Sequence, residues 1–418
     1  MKTFIFPIVC LLFFVSCKNQ EKNIIHSGII DIEQGLQNLV QLKTSDFGNT
    51  IRYIPLETTD DGLIGRNPVV KVLKNYIVVE FQEKCLLFDK RDGSFIAEIG
   101  RIGQGPEEYT SNVSWTDENE DFLYFQRNPN QLLKYDMKGN YCGNVRFSIS
   151  SFASYYLLSD SEIIGYFGGV NRLSKTIPFS VGFFDTDGVL IDSVPKLVET
   201  QPIISNDEIV NLSVLRAGGT GRIFFGNYGN TDIMVINYKN DRRQLFATNV
   251  ARIWEHNGNI RFKEEFVDTL YTISDRKLIP TIVFNTGKYH WPAEEELTTR
   301  NTNDRIFIAD VSENDNFIFY QCIKGMYNSE SVLYNGLYNK NTGSTMLSNN
   351  SDAIEDDLTQ FVPFTPFGIS TTGEFVSLVE AYKIMEWLEN HPEAKNNEKL
   401  GFLKEFDEEM NPVVILIE

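Results

Sequence analysis

The ten residues Gly100-Arg101-Ile102-Gly103-Gln104-Gly105-Pro106-Glu107-Glu108-Tyr109 gather three glycines, a guanidinium, an amide, two carboxylates and a phenol. Glycines permit a tight backbone path that leaves amides open. Arg101, Gln104, Glu107, Glu108 and Tyr109 add polar and stacking groups, which makes the segment a candidate for ligand binding. The same composition also suits a crossover loop whose glycines serve geometry alone. A phosphate loop fits poorly: no Lys-Ser or Lys-Thr follows the glycines, and Pro106 removes an amide donor where a cradle needs one.

Elsewhere the reactive residue types are scattered. Asp185-Thr186-Asp187-Gly188 resembles the start of a calcium loop, but the twelfth position is Lys196 and a strand-like run follows, so it reads as a hairpin turn. The acidic groups Asp60-Asp61, Glu107-Glu108 and Glu355-Asp356-Asp357 would hold a divalent cation only by converging, and such runs are more often solvated loop charge. His26, His256, His290 and His391 form no HxH or HExxH pattern. No GxSxG is present. No catalytic residue, metal ligand or cofactor is therefore assigned, apart from the option of a divalent cation at converging carboxylates.

The first seventeen residues carry an address. One cation, Lys2, precedes an apolar stretch from Phe4 to Val15, and Ser16 stands directly before Cys17. That is the layout of a signal peptide, too short to span a bilayer as a mature helix. Phe14-Val15-Ser16-Cys17 resembles the bacterial lipobox, which implies cleavage after residue 16 and acylation of Cys17. Residues 17–46 are polar and weakly patterned, and read as a tether between lipid and domain. The remaining cysteines, Cys85, Cys142 and Cys322, are read as buried small hydrophobes rather than disulfide partners.

The rest of the chain supplies an architecture. With 42% hydrophobic and 13% aromatic residues among 418, it has ample material for a large core. A formal charge of −19 repels phosphate backbones, and no run of Lys and Arg offsets it, so nucleic acid is excluded as a partner. Short runs such as Tyr76–Phe81, Phe122–Phe125, Arg222–Phe225 and Phe317–Tyr320, punctuated by Gly, Asn and Asp, are how an all-β chain reads. A hairpin signature recurs: Phe88–Gly93, Tyr135–Asn140, Phe184–Gly188 and Tyr338–Gly343, with weaker copies starting at Ile236 and Ile273. Successive copies lie 37 to 65 residues apart, close to one four-stranded propeller blade with variable loops. The first unit lays out as Val69–Leu73, Tyr76–Phe81, Cys85–Asp89 and Ser94–Ile99. The second lays out as Asn112–Trp115, Phe122–Phe125, Gln131–Tyr135 and Tyr141–Phe147.

A blade cannot bury both faces alone, so blades must stack and the ring must close. Ile51–Leu56 and Val413–Ile417 are orphan strands at the two ends, and pairing them in one blade would close it. Between the last blade strands lie two expected helices. One carries Ala381, Ile384, Met385 and Leu388 on a stripe ended by Pro392; the other spans Ala394–Glu409 with Leu400, Leu403 and Phe406 inward. A short helix is expected after Trp291-Pro292. The aromatic load mostly fills the core, while polar-flanked Tyr109, Trp115, Tyr228 and Trp291 are candidates to stack on a sugar or peptide.

Ile51–Glu57 (IRYIPLE), Gly100–Tyr109 (GRIGQGPEEY), Asp268–Tyr271 (DTLY) and Asn411–Val414 (NPVV) resemble the six-bladed β-propeller lipoproteins of Bacteroides-type bacteria, over nearly the whole mature chain. The resemblance implies a fold; that group is mostly of unassigned function. The reading is a signal peptide at 1–16, a tether at 17–46, and one domain at 47–418 with a helical insertion at about 380–410. The domain is an all-β propeller of six four-stranded blades, with seven as the alternative, closed by the N-terminal strand. Six is preferred because the turns at Ile236 and Ile273 are close enough to share one elaborated blade. The expected role is a lipid-anchored envelope protein, at the outer membrane on either face, that touches the membrane through its lipid alone and binds a peptide, protein or glycan. A cation-dependent hydrolase or lyase and a scaffold subunit of an envelope complex are the alternatives.

Overall fold

The computed structural model describes residues 28–168, 177–198, 206–215, 232–248, 252–296, 302–326 and 331–418. The expected runs Tyr76–Phe81, Phe122–Phe125 and Phe317–Tyr320 become short antiparallel strands, since β-branched and aromatic side chains suit a pleated, half-buried surface; Arg222–Phe225 lies outside the described residues. Among the described residues they form seven sheets. The first contains Val69–Val72, Tyr76–Phe81, Lys84–Asp89 and Phe95–Glu98; the second Ser114–Thr116, Phe122–Arg127, Gln131–Asp136 and Tyr141–Arg146. The third contains Tyr155–Leu158, Ile163–Tyr166, Phe179–Phe184 and Leu190–Pro195. The fourth comprises Ile253–His256, Asn259–Phe262, Thr269–Ser274 and Lys277–Asn285; the fifth Ile306–Glu313, Phe317–Lys324, Val332–Asn339 and Ser344–Asn349. In the sixth, Gly368–Ile369, Phe375–Val379 and Val413–Ile417 are joined by Ile51–Pro55 from the other end of the chain, paired antiparallel from Ile51 opposite Ile417 to Pro55 opposite Val413.

The seventh sheet is different. Its three strands, Ile209–Leu215, Asp232–Tyr238 and Arg243–Thr248, fall between the third and fourth sheets in sequence. Those two sheets nevertheless pack directly on each other: Ile164, Tyr166, Val181 and Phe183 share a core with Ile253, Phe262 and Ile273. The extra sheet instead lays Val235 and Leu245 against Phe266, Trp291, Phe307, Ile323 and Leu333, over the fourth and fifth sheets. The hairpin turns after Ile236 and Ile273, expected to share one blade, thus belong to separate sheets.

The other sheets meet face to face in order. First and second share Leu87, Phe125 and Leu133; second and third share Leu132, Tyr156 and Phe184. Fourth and fifth share Leu270, Phe284 and Ile318; fifth and sixth share Phe319, Leu337 and Phe375; sixth and first share Val414, Leu416, Val79 and Phe88. This is a propeller-like build in which each sheet buries both faces against its neighbours.

The recurrent turns join the last two strands of their sheets, and their polar residues have a physical task. Asp89 Oδ1 accepts from the Arg91 amide, Asp136 Oδ1 from Lys138 and Asn140, Asp185 Oδ1 from Asp187 and Val189, and Asn339 Oδ1 from Asn341 and Thr342. In three of these turns the closing glycine, Gly93, Gly139 or Gly188, also meets the preceding sheet. Gly93 has φ 78°, and a Cβ there would lie 2.0 Å from the carbonyl oxygen of Pro55, while its own carbonyl accepts from the Glu57 amide. The repeat legible in the sequence is therefore also a contact between sheets.

Residues 28–46 do not form the expected loose tether. Gly28–Asp31 adds a parallel strand to the edge of the fourth sheet, and the helix Ile32–Gln37 follows with Ile30 and Ile32 fully buried. Two apolar side chains at alternate positions sufficed to dock a segment that otherwise looks polar. The helix Ala381–Asn390 forms as expected and buries Ala381, Ile384 and Leu388. The second helix breaks into two short 3-10 turns, Pro392–Asn396 and Glu398–Lys404, because Asn397 caps the Lys399 amide and donates to Thr359 O. Leu400, Leu403 and Phe406 are still buried. After Trp291-Pro292 the described residues form the 3-10 turn Ala293–Glu295, and residues 297–301 lie outside them.

Candidate functional site

The Gly100–Tyr109 segment links the first sheet to the second and satisfies itself. Tyr109 is fully buried, donates to the Ile99 carbonyl at 2.9 Å and stacks on Phe125 at 4.3 Å between centroids, so it offers no face to a ligand. Glu108 accepts from the Gly105 amide at 2.7 Å and from Arg101 Nε at 2.7 Å; these bonds, the amide first, outweigh desolvation and hold its carboxyl below the usual range. A Cβ at Gly103 would stand 2.0 Å from Glu108 Oε2, so this glycine makes room for the carboxylate. Glu107 engages Tyr135 through its carbonyl, leaving its side chain exposed beside exposed Gln104 and Arg101. The geometry is that of a crossover loop with three polar side chains on its outside.

Other expected residues are placed as follows. Trp115 and Trp291 are buried in cores between sheets, while Tyr228, Cys17 and the signal segment lie outside the described residues. Cys85 and Cys322 are buried as expected, but Cys142 is exposed on the outermost strand of the second sheet. Asp356 accepts from Thr44, Tyr53, Thr359 and the Phe361 amide, and Asp357 accepts from Ser45 and Thr44, so both brace a loop. Among the described residues no three His, Cys, Asp or Glu side chains converge as a metal site.

The structure brings a different set together. The first strands of the sheets neighbour one another: those of the second and third, third and fourth, and fifth and sixth sheets lie side by side. Lys71 Nζ donates to Ser114 O at 2.6 Å, linking first to second, and the Thr371 amide donates to Val72 O at 3.1 Å, linking sixth to first. Around the ends where these strands begin lies a polar patch built from separate sheets. Glu80, paired in register with Val69, accepts on Oε1 from Lys71 Nζ at 2.5 Å, Ser114 N at 2.7 Å and Ser114 Oγ at 2.5 Å. Tyr155 opens the third sheet; burial first, then the charges of Glu80 and Asp310, push its phenol up to about 12. Asp310 sits at a register shift in the opening strand of the fifth sheet, and burial raises its carboxyl above the ordinary range despite the nearby Arg252. One phenol thus senses carboxylates from two different sheets.

Arg252 immediately precedes the fourth sheet and is 1% exposed. Its Nη2 reaches Glu265 Oε1 at 3.4 Å, long for a charge-assisted bond, and its Nε and Nη1 have no hydrogen-bond partner. The following loop is charged yet buried: Lys263, Glu264 and Glu265 are all under 4% exposed. Tyr166 donates to Glu264 Oε1 at 2.6 Å, Ser180 donates to its Oε2, and Lys263 donates to the Glu264 carbonyl at 3.0 Å. Burial first, then Arg252, lowers the Lys263 ammonium to about 8. The sequence analysis missed this set. Its signal was the run Lys263-Glu264-Glu265 held between Phe262 and Phe266, where a solvated loop needs no aromatics.

At the opposite end of the same strands a second buried charge is fully paired. Glu313 receives Lys340 Nζ at 2.7 Å, Arg261 Nε at 3.1 Å and Nη2 at 3.2 Å, and Trp254 Nε1 at 3.2 Å, with His256 Nε2 at 3.9 Å. These groups come from the fourth and fifth sheets and join them.

Comparison with known proteins places this geometry. A family model described as a domain of unknown function (DUF4934) matches residues 27–418. No curated protein sequence matches the chain. A crystal structure from Bacteroides fragilis, named "Putative exported protein", superposes with a TM-score of 0.59 at 16% identity, covering 93% of this chain and 98% of that one. The WD40 repeats of RRP9 give 0.39 at 10% identity, covering 88% and 97% of the two chains. BamB from Moraxella catarrhalis gives 0.34 at 8% identity, covering 88% and 98%.

Proposed function

We propose that this chain, which belongs to the DUF4934 family, is a lipid-anchored envelope β-propeller that binds a peptide, protein or glycan at the mouth of its central channel and performs no catalysis. Six blades are favoured because the third and fourth sheets pack on each other and leave the three-stranded sheet outside the sequence of contacts. The pairing of Ile51–Pro55 with Val413–Ile417 supports a ring closed by the N-terminal strand. Anchoring through Cys17 at the outer membrane rests on the signal layout, and the like-folded Bacteroides fragilis protein is itself named as exported. No helix among the described residues is long and apolar enough to cross a membrane.

The observation that carries the binding reading is a chain of charge contacts across sheets: Glu80 of the first and Asp310 of the fifth both lie within electrostatic reach of Tyr155 of the third, and Asp310 lies within reach of Arg252, which immediately precedes the fourth. Inner polar groups from several blades are how a propeller presents a site with several directions of contact. A thermal-shift screen of the purified chain against peptides and oligosaccharides tests it. Saturating ligand at about a hundred times its Kd stabilises the fold by about 2.7 kcal/mol. Tyr155→Ala is expected to remove that shift and an Arg101→Ala, Gln104→Ala, Glu107→Ala triple variant to leave it. The reverse result would move the site to the crossover loop.

A further inference from the structure

Arg252 is the least explained charge in the described structure. A guanidinium carries five N–H donors and no acceptor, and it does not neutralise by losing its proton. Here three of those five hydrogens, on Nε and Nη1, face no acceptor, although the side chain is almost wholly excluded from solvent. Native structures tolerate such groups rarely, and where they persist an ion or water absent from the coordinates is the first explanation to test.

The surroundings limit what that ion is. Arg252 shares its side of the fourth sheet with Trp254, which faces the fifth sheet, and Asp310 on the opening strand of the fifth sheet lies within its electrostatic reach. Glu80 and Asp310 both lie within electrostatic reach of Tyr155, so a second anionic charge on a ligand there meets repulsion. Glu80 uses one oxygen for all three of its described bonds, and Asp310 accepts on Oδ1 from the Val311 amide. Both carboxyl groups thus keep an oxygen available for donors on a ligand, and the Tyr155 phenol stays protonated at neutral pH.

We propose that Arg252 is the anchor for a ligand carboxylate, and that Glu80, Asp310 and Tyr155 hold the hydroxyl or ammonium donors of the same molecule. The ligand class is a monocarboxylate flanked by hydrogen-bond donors, supplied either by the free C-terminus of a peptide or by an acidic sugar. This rests on the reading that the channel mouth binds ligand, and deepens it. The carboxylate enters beside Glu265, whose contact with Arg252 is long enough to be exchanged.

The test uses the full chain with four probes: a short peptide without acidic side chains, its C-terminal amide, galacturonic acid and galactose. Inorganic phosphate serves as the dianion control. The free-acid peptide or galacturonic acid is expected to raise Tm and its counterpart without the carboxylate to fail, which also identifies the source. Arg252→Met is expected to weaken that binding at least tenfold, and an Arg252→Met, Glu265→Leu double variant, which strands no carboxylate, to keep its ligand-free Tm equal to or above wild type. Equal affinity of Arg252→Met and wild type for the acid overturns the proposal. So does a ligand-free double variant that unfolds while Arg252→Lys and wild type bind no acid, since that pattern marks a structural arginine. Should galactose or peptide amide bind as well as the acids in a Tyr155→Ala-sensitive way, the carboxylate inference falls and the mouth reading stands. If no probe shifts Tm in any variant, both fall together.

Discussion

The two ends of the strands Ile253–His256 and Ile306–Glu313 each have a buried charge beside them, and they treat it in opposite ways. At the lower end, Glu313 has no exposed side chain and is surrounded by Arg261, Lys340, Trp254 and His256. At the upper end, Arg252 is equally buried but has one long contact. Desolvating an ion costs several kcal/mol, and only close, saturated geometry offsets it. The lower cluster is a joint between sheets, whereas the upper one holds a buried charge without saturated geometry.

Removing the lower carboxylate therefore has the largest expected effect. Glu313→Ala strands Arg261 and Lys340 without their common partner, and breaking a buried pair in this way costs about 3–5 kcal/mol. Urea denaturation of the purified variant measures it as a lower midpoint at unchanged slope. A loss under about 1 kcal/mol would show that water replaces the carboxylate freely, and the contrast between the two ends would vanish.

Replacing Arg252 and Glu265 together should go the other way. Exchanging both members of a poorly matched buried pair for apolar side chains of similar size is expected to be neutral or to stabilise by about 1 kcal/mol or more, so Arg252→Met with Glu265→Leu should hold or raise the midpoint, whereas Arg252→Met alone leaves Glu265 buried without this cation. The same denaturation series reads it directly. Measuring Glu313→Ala beside that double variant sharpens the comparison, because the two sites are at opposite ends of their strands and their effects should add.

The ends also differ in their response to pH. For Glu313, burial would raise the carboxyl, but the Lys340 bond and the Arg261, Lys340 and His256 charges outweigh it and hold it below the ordinary 4.5. A folded pKa below the unfolded one means that its stabilisation is present above pH 4.5 and disappears as pH falls through the folded value. Lys263 near Arg252 is lowered from 10.5 to about 8, so the unfolded chain binds the extra proton between those values. Stability should then rise as pH increases from 8 to 10.5, against the usual alkaline loss. Lys263→Met is expected to flatten that limb, and Arg252→Met to shift it toward higher pH. A profile unchanged by both variants would remove Lys263 from the account.

Most of the sheet framework was legible because it is made by local chemistry. Asp or Asn opening a turn and Gly closing it are read at fixed spacing, and Val413–Ile417 announces itself as a strand by composition. The Gly28–Asp31 strand was missed because its partner, Ile282–Asn285, is about 250 residues away and only two apolar residues mark it. The buried charges were missed for the same reason. A Lys-Glu-Glu run reads as solvated until the third, fourth and extra sheets close over it, and nothing in the run specifies those neighbours. In the Gly100–Tyr109 loop, composition could not tell that Tyr109 and Glu108 hold the loop itself while Arg101, Gln104 and Glu107 stay exposed.

The smallest expected effect concerns that loop and guards the comparison from a trivial explanation. Arg101 is 76% exposed and bonds Glu108 at 2.7 Å, in water rather than between sheets. An exposed pair gains little from Coulomb attraction and is screened by salt, so Arg101→Ala should cost no more than about 0.5 kcal/mol and less at 1 M salt. Glu108 keeps its bond to the Gly105 amide whatever happens at Arg101, so the loop should hold its shape. If Arg101→Ala instead cost as much as Glu313→Ala, burial would not be what separates strong from weak charges in this protein. The different treatment of Arg252 and Glu313 would then need another cause.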